Sequence, residues 1–472
     1  MSVTHEHNEY TAHASWWTMY RDAADGEHAV KSRSETYLPR KSVKQTDAEY
    51  TAYKQRAMYF NATGRTVDGL VGLMFRRDPV VVVPDTIEPI LEDVTQDGVS
   101  FNELVKHVAA DMVIVGRGGV LVDFPTVAGV DNMREYAISG ARPYATYYPA
   151  ESIINWDVAY IGGRIVPSLL VLKETYGTID PGDEFKKIVK DQYRVLDLDE
   201  GKYRQRVFRK LLVDNSKGES WVVVEEFWPK MTGRPMMYIP FEFFGPVDGR
   251  AKVQKSPIAD IATVNLSHYR TMADLENGRH WCGSPTPVFL GEFVSESGDD
   301  VTEVRLGSEN GIHMAAGSDA KFLEFAGAGL LELRMADEQK REMMAVLGSR
   351  ILAPEKKQVE AAETARIHRA GEESTLQAIA HSVSKSAKRV LEYLRDWAGA
   401  SGDVSVEINT DFVPAEMTPE ELTAAMFAWQ GGAISFADLF RLLKQGEKIR
   451  PDKTFEEHEA EIEAEGPKLG VL

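Results

Sequence analysis

The sequence predicts an α+β fold in which a β-rich region separates two helical ones. Three observations support this class. Apolar residues recur at helical spacing between Tyr50 and Met112, short β-branched and aromatic stretches fill 144–250, and helical spacing returns from Ser256 onward. Because 472 residues exceed one ordinary hydrophobic core, we expect two or three substructures.

A capping box predicts the first long helix of the N-terminal region, 1–143. Thr46 and Glu49 stand three positions apart, as the side chains of such a box require, and apolar residues follow at steps of three and four as far as Met74. We therefore predict one helix over 47–75.

A second capping box, formed by Ser100 and Glu103, opens another helix of this region. Its apolar face ends at the glycines of 116–119, and the strand VLVDF follows. The pattern indicates a helix, a tight turn and a strand.

Residues 144–250 alternate short strand-like stretches with turn residues such as Asp199-Glu200-Gly201. After them, Ser256 and Pro257 form a good helix start, and the helix is predicted to reach Gly278. Ile261 belongs to its apolar side. The polar positions expected to be exposed on this helix are Asp260, Asn265, Arg270 and Asp274.

Short strands are expected after 285, and a further helix over 330–352. The stretch 359–397 then reads as one helix that changes character at Leu376. From Leu376 to Trp397 an apolar stripe runs at steps of four and three, whereas the half before it is mostly polar.

The polar half of this helix needs a surface to lie against, or it is simply solvated. We expect it to pack against neighbouring copies of the chain, where charged side chains would be satisfied across an interface and along the helix. A plain solvated helix remains the alternative. The candidate interface residues are Glu363, Arg366, Arg369 and Glu373.

The C-terminal region, 401–472, is predicted to hold two short helices broken at Gly431-Gly432. Six glutamates follow between 456 and 465, which is typical of a solvated helix or tail.

Composition limits the classes of function. The net charge of −19 should repel phosphate, so a broad grip on nucleic acid is not expected. Cys282 is the single cysteine, which excludes an internal disulfide framework and a cysteine-clustered zinc site. The sequence lacks a run of 18 apolar residues and the pattern of a signal peptide, so we expect a soluble intracellular protein without a membrane partner.

The sequence offers no motif for catalysis. It lacks a phosphate-binding loop, a dinucleotide-binding glycine pattern, a nucleophile elbow and an H-E-x-x-H motif. We therefore expect no enzyme activity, no cofactor and no metal. The first dozen residues are expected to be unstructured, which argues against a metal site at His5, His7 and His13.

Six stretches in order resemble landmarks of tailed-bacteriophage portal proteins of the DUF4055 type, over roughly 40–460. They are GRTVDGLVGLMFRRDP, GRGGVLVDFP, ARPYATYYPAESIINW, LSHYRTMADLENGRHWCGSPTPVFLG, AAETARIHRAGEESTL and GGAISFADLFRLL. The resemblance implies a homo-oligomeric ring, usually of twelve, at one capsid vertex. Double-stranded DNA would pass through its channel during packaging and ejection.

The resemblance also implies partners and a location. The ring would dock the terminase large subunit and a head-tail adaptor protein, and would meet the major capsid and scaffolding proteins. The protein would lie in the virion, and in the host cytoplasm during assembly.

The resemblance further implies a division of the chain. It comprises a mixed wing (1–143), a β-rich region including the clip (144–250), a stem helix (251–284), wing strands and helix (285–347), a channel loop (348–358), a long wing or crown helix (359–400) and a helical crown with an acidic tail (401–472).

Within the predicted channel loop, Lys356 and Lys357 follow Pro354 in an otherwise acidic chain, and Arg350 precedes them. In portal proteins this position faces the channel, so these cations are candidates for contact with DNA phosphates. A solvated lysine pair at a helix start is the alternative.

Two other classes of function remain open. A different non-enzymatic virion structural or adaptor protein would also be acidic, oligomeric and without chemistry. A metal-dependent nuclease would require carboxylates that converge in a pocket.

Overall fold

The fold is α+β, as predicted. The computed structural model describes residues 2–125, 141–212, 219–231, 233–283, 286–291, 293, 314–323, 328–352, 374–412, 419–446, 448–450 and 453–464.

The helices vary in length from one turn to seven. They are α1 (Asn8–Asp25), α2 (Glu27–Ser32), α3 (Asp47–Arg56), α4 (Ala62–Met74), α5 (Glu88–Leu91), α6 (Phe101–Ile114), α7 (Ala259–Gly283), α8 (Ala328–Leu352), α9 (Thr375–Trp397), α10 (Pro419–Gln430), α11 (Phe436–Gln445) and α12 (Phe455–Ala464). Within the described ranges, none of them is long and apolar enough to span a membrane.

The strands are concentrated in the middle of the chain. They are β1 (Val80–Val82), β2 (Gly118–Asp123), β3 (Tyr144–Pro149), β4 (Ile153–Ile161), β5 (Arg164–Asp180), β6 (Asp183–Asp199), β7 (Lys202–Leu212), β8 (Glu219–Phe227), β9 (Lys230–Met231), β10 (Arg234–Pro235), β11 (Phe241–Phe244), β12 (Thr286–Leu290), β13 (Asp319–Leu323) and β14 (Ser405–Glu407).

The chain divides into two compact units. The first consists of Met1–Tyr10, Gly69–Gln254 and Glu373–Leu472, and the second of Thr11–Asp68 and Lys255–Glu372.

The first unit contains an antiparallel five-stranded sheet in the order β4-β5-β6-β7-β8. This sheet confirms the β-rich region, although β5 and β6 are longer than the short strands expected, at 17 residues each. The β6–β7 turn falls on the predicted residues. Glu200 and Gly201 both have positive φ, 49° and 78°, as a tight hairpin whose twist matches its strands requires.

A second sheet of the first unit, in the order β11-β2-β3, packs against α9. Two serines tie α9 to it: Ser382 Oγ donates to the carbonyl of Gly245 at 2.7 Å, and Ser386 Oγ to that of Phe243 at 3.1 Å. The apolar stripe predicted on α9 is confirmed. Six of its members are buried and Trp397 is half-buried; the buried ones are Leu376, Ala380, Val383, Ala387, Val390 and Leu394.

The second unit holds an aromatic-rich core between its N-terminal segments and α7. Tyr53 donates from its hydroxyl to Asp274 at 2.8 Å, and Tyr50 to the carbonyl of Leu38 at 2.9 Å, so these two buried rings keep partners for their polar ends. The cluster comprises Val30, Tyr37, Leu38, Tyr50, Tyr53, Ala57, Tyr59, Leu266, Tyr269 and Ala273.

The prediction of one helix over 47–75 is wrong. The helix is interrupted between α3 and α4. At the start of α4, Asn61 Oδ1 accepts a hydrogen bond from the amide of Gly64 at 2.8 Å. The apolar spacing in the sequence continues across this interruption because both helices bury apolar residues. These are Tyr53 and Ala57 before it, and Val67 and Leu70 after it. Hydrophobic spacing does not distinguish one helix from two that each bury a face.

The helix predicted over 359–397 begins only at Thr375 in the described residues, and 359–373 lie outside them. Ser374 is extended, with ψ 155°, and forms a capping box with Gln377, so α9 begins at Thr375. Ser374 and Gln377 carried the signal for this start, a serine followed three residues later by glutamine.

Two further expectations are corrected. Residues 2–12, expected to be unstructured, are ordered, because α1 begins at Asn8 and the His7 ring stacks on Trp156 with centroids 4.0 Å apart. Asn265 is fully buried. Its Oδ1 accepts from the amide and hydroxyl of Thr63 at 3.0 and 2.9 Å, and its Nδ2 donates to the carbonyl of Phe60 at 2.8 Å. The prediction that Asn265 is exposed is therefore wrong.

Candidate functional site

Helices α7 and α8 pack along each other in antiparallel directions. Gly278 lies against Leu330 near one end, where a Cβ on this glycine would fall 2.4 Å from Leu330 Cδ2. Toward the middle of the pair, Lys340 Nζ donates to the carbonyl of Ser267 at 3.2 Å. The absent side chain at Gly278 therefore permits close approach, and α7 continues past it to Gly283.

A buried polar cluster lies between these two helices. His268 Nε2 lies 2.6 Å from Asp337 Oδ1, and Arg341 Nη2 pairs with Asp337 Oδ2 at 3.1 Å. Burial lowers the pKa of His268 despite the attraction of Asp337. The cluster joins α7 to α8 through these charged contacts, while His268 Nδ1 and Asp337 Oδ1 have no hydrogen-bond partner among the described residues.

The opposite side of α8 carries an exposed apolar stripe. Leu331, Met335, Met343 and Val346 are 62%, 53%, 52% and 49% exposed, respectively. At about 100° per residue they occupy one sector of about 120°, turned away from the buried Asp337. We call these four residues the α8 stripe. No element in the described part of the chain covers it. Glu332, Gln339 and Glu342 are exposed in the same sector, so the stripe runs among polar side chains.

The strands β12 and β13 lie between α7 and α8 in the sequence and pair with each other in antiparallel fashion. All five residues of β13 are exposed, with Phe322 at 65% and Leu323 at 67%. The α7–α8 region thus presents more uncovered apolar surface than a single α8 face.

The candidate site residues of the sequence analysis lie mostly beyond what the structure describes. Arg350 falls within α8, since that helix extends to Leu352 as the predicted 330–352 helix requires. The predicted channel loop, 348–358, therefore begins too early by five residues. The residues outside the described ranges are Lys356, Lys357, Glu363, Arg366, Arg369 and Glu373; their roles remain predictions.

A partly buried ion pair in the first unit was not predicted from the sequence. Arg194 Nε donates to Glu174 Oε1 at 2.7 Å, while Tyr148 and Gln192 donate to the same carboxylate at 2.6 and 2.8 Å. Burial opposes ionisation of Glu174, but Arg194 and these hydrogen bonds outweigh it and lower its pKa. Both residues look like ordinary strand charges in the sequence, and only strand pairing brings them together.

Arg117 is more deeply buried, at 1% exposure, and was expected from the sequence only as part of a glycine turn. Its guanidinium lies 4.0 Å from the ring centroid of Trp156 and 4.9 Å from that of Phe243, and Nη1 donates to the carbonyl of Ala251 at 2.6 Å. Burial lowers its pKa to about 9. The side chain fills the first unit's core as a cation between two aromatic faces.

The described residues contain no group of three or more His, Cys, Asp and Glu side chains placed to hold a metal ion. The perturbed pKa values at Glu174 and Arg117 belong to core contacts. The geometry that stands out is instead the uncovered apolar surface of the α7–α8 region.

Comparisons with known proteins match this region. A family model described as "Domain of unknown function (DUF4055)" matches residues 257–398, from the start of α7 to the end of α9. A comparison with curated proteins gave no match.

Three solved structures contain similar chains, each covering 88% of this chain and 99% of its own. They are the virion of a native gene transfer agent (GTA) particle at 10% identity and TM-score 0.38, the neck of an empty GTA particle computed with C6 symmetry at 12% and 0.38, and the neck of a native GTA particle computed with C12 symmetry at 10% and 0.37. TM-scores below 0.5 do not establish a shared fold.

Proposed function

We propose that this protein is a bacteriophage portal protein, a ring of about twelve copies at one capsid vertex through which DNA is packaged and ejected. The observation that carries the proposal is the α8 stripe. It lies within the segment that matches the DUF4055 model, and two of the six portal-like stretches, around 266–291 and 361–376, lie in that segment as well.

The stripe supports assembly for a physical reason. Burying four large apolar side chains against another surface stabilises the contact by about 25 cal/mol per Å² of apolar surface removed from water. A second copy of the chain is the partner that closed symmetry supplies. In the proposed ring, the stripe packs against a neighbouring subunit.

The proposal assigns the stem to α7 and adds α8, because the two helices pack along each other. The β-rich region would contain the clip, and α10 to α12 the crown. The net charge of −19 suits a channel in which DNA slides, since each cation that grips a phosphate adds affinity that movement must break. Terminase, the adaptor, capsid and scaffolding proteins are the proposed partners.

Assembly is tested by counting subunits. We expect mass photometry of the purified protein to give a species of about twelve chains, and negative-stain images along the symmetry axis to show a central hole. A monomer at every concentration, with and without the viral assembly partners, would contradict the ring. An oligomer without an axial hole would favour a different virion component.

Charging the α8 stripe should prevent assembly without unfolding the subunit. In the double variant Met335→Asp, Met343→Asp, two carboxylates would have to lose water at the interface, so we expect at least a 100-fold loss in ring formation by mass photometry. Arg334→Asp is the matched control, an exposed site on the same helix outside the stripe. Rings that form equally well in the double variant would move the interface elsewhere.

The lysines after α8 are tested separately. If Lys356 and Lys357 face the channel, twelve copies place a narrow ring of positive charge around the duplex. Replacing both with Ala should leave rings intact and alter packaging or retention of packaged DNA. Intact rings with unchanged packaging and retention would remove these lysines from the mechanism.

A further inference from the structure

A surface groove of about 550 Å³ lies in the second unit, between the 41–45 loop, α3 and the end of α7. Its lining includes Lys41, Lys44, Arg56, His280 and Trp281. Trp281 belongs to the LSHYRTMADLENGRHWCG stretch, whose last residues have no part in the proposed ring. Cations and an aromatic ring thus converge in a chain whose net charge is −19.

The groove keeps a positive balance of charge. Glu49 is the carboxylate among the lining residues, and it serves the start of α3 by accepting from the amide and hydroxyl of Thr46 at 2.8 and 2.9 Å. Lys41 is partly neutralised, since its Nζ lies 3.3 Å from Asp274 Oδ1. Lys44 is exposed and forms no ion pair with the described residues. The open cation of the groove is therefore Lys44, and Arg56 also lines the groove.

The indole of Trp281 is held by its edge. In the amide orientation that satisfies both neighbours, the Asn277 side-chain oxygen accepts from Trp281 Nε1 at 3.2 Å and from Lys41 Nζ at 2.9 Å. Trp281 is nevertheless 54% exposed, although indoles are among the largest apolar groups a protein can bury. A ring that is anchored by its edge and more than half exposed offers a surface for stacking, with the His280 ring edge-on at 6.2 Å between centroids.

We propose that this groove binds a single-stranded nucleic acid segment, with a base stacked on Trp281 and phosphates at Lys44, Arg56 and Lys41. Exposed aromatic rings beside cations hold single strands without sequence preference, because every base has a flat π-face. The inference goes beyond the duplex that the proposed portal would pass, and it depends on the groove rather than on ring formation.

Two other ligands fit the groove less well. A duplex keeps its bases stacked internally, so the indole would gain nothing, and its dense phosphates would meet an acidic protein. An acidic peptide would use the cations but not the indole face. Dependence on Trp281 therefore separates a single strand from both.

The test measures fluorescence anisotropy of a fluorescein-labelled oligothymidylate of about 12 nucleotides with the full-length protein. With about three phosphates neutralised, at about 0.7 per phosphate, log K should fall against log salt with a slope of about −2. Trp281→Ala should weaken binding by about 5- to 100-fold, and Trp281→Phe much less, because a phenyl ring still stacks. Lys44→Glu should weaken it at least 10-fold and flatten the salt slope.

Lys106→Glu is the matched control, since it makes the same charge change at an exposed position of α6 in the other unit. It should leave binding unchanged. Several results would overturn the proposal: no binding by the wild type at low salt, equal losses in Lys44→Glu and Lys106→Glu, or equal binding of a duplex with no effect of Trp281→Ala. Tight, Lys44-dependent binding of an oligoglutamate peptide that ignores Trp281 would assign the groove to acidic peptides instead.

Mass photometry of the same variants keeps the two proposals apart. Rings should form normally in Trp281→Ala and Lys44→Glu, because neither residue belongs to the α8 stripe. Lost oligonucleotide binding with intact rings concerns the groove alone, whereas absent rings in the wild type concern the proposed function alone.

Discussion

Ile261→Asp is expected to lower the free energy of unfolding by about 4 kcal/mol or more, enough to unfold a marginal unit. Ile261 is 1% exposed on α7, and its neighbours Ile258 and Ala262 are fully buried. A carboxylate there would lose its water without gaining a counter-ion. Chemical denaturation followed by circular dichroism measures the change.

Two controls separate the buried charge from the substitution itself. Ile261→Val removes one methyl group from the same site and should cost only about 1 kcal/mol. Asp260→Asn alters the adjacent exposed residue, whose ion pair with Lys255 at 3.0 Å lies on the surface, and should cost less than about 1 kcal/mol. If Ile261→Asp unfolds at the same denaturant concentration as the wild type, α7 does not bury this face.

Arg194→Met should destabilise the protein by about 2 to 4 kcal/mol, because the Glu174 carboxylate stays in the sheet without its counter-ion. The lower end of that range reflects residual solvent, since the Arg194 and Glu174 side chains keep 22% and 15% exposure. Equilibrium unfolding at pH 7 measures it. The double variant Glu174→Gln, Arg194→Met is the control and should recover part of the loss, since no unpaired charge remains.

The same pair predicts a pH dependence with a defined sign. The pKa of Glu174 is lowered in the folded state, so the pair stabilises the fold above the pKa of an unfolded glutamate and loses that contribution as pH falls through the folded value. The stability difference between wild type and Arg194→Met should therefore be largest near neutral pH and shrink on acidification. A difference that stays constant to pH 3 would mean that Glu174 does not carry the effect.

Local signals in the sequence located most helices and strands. The capping boxes at Thr46 and Ser100 mark true helix starts, and the turn at Glu200-Gly201 joins two strands as predicted. The break before α4 escaped because the apolar spacing runs on across it. The start of α9 escaped although Ser374 and Gln377 carried its signal, because the residues before them also have helical composition.

The candidate site was less accessible to sequence. The notable feature of α8 is that apolar side chains lie on the side away from α7. Charged residues and methionines are mixed around this helix, so its sequence does not indicate which face packs inward. Similarly, Trp281 reads as a residue near a helix end until Lys44 and Arg56, more than 220 positions earlier, are found beside it.

The sequence by itself determined the α+β class, the positions of the capping boxes, the strand-rich middle, the acidic charge and the ordered resemblance to portal proteins. These depend on propensity, spacing and composition, which act over a few residues or over the whole chain. Only the tertiary structure decided that Asn265 is a buried partner of Thr63, that Glu174 meets Arg194, and that the α8 stripe stays uncovered. Burial and pairing depend on which distant segments meet, and no local pattern encodes that meeting.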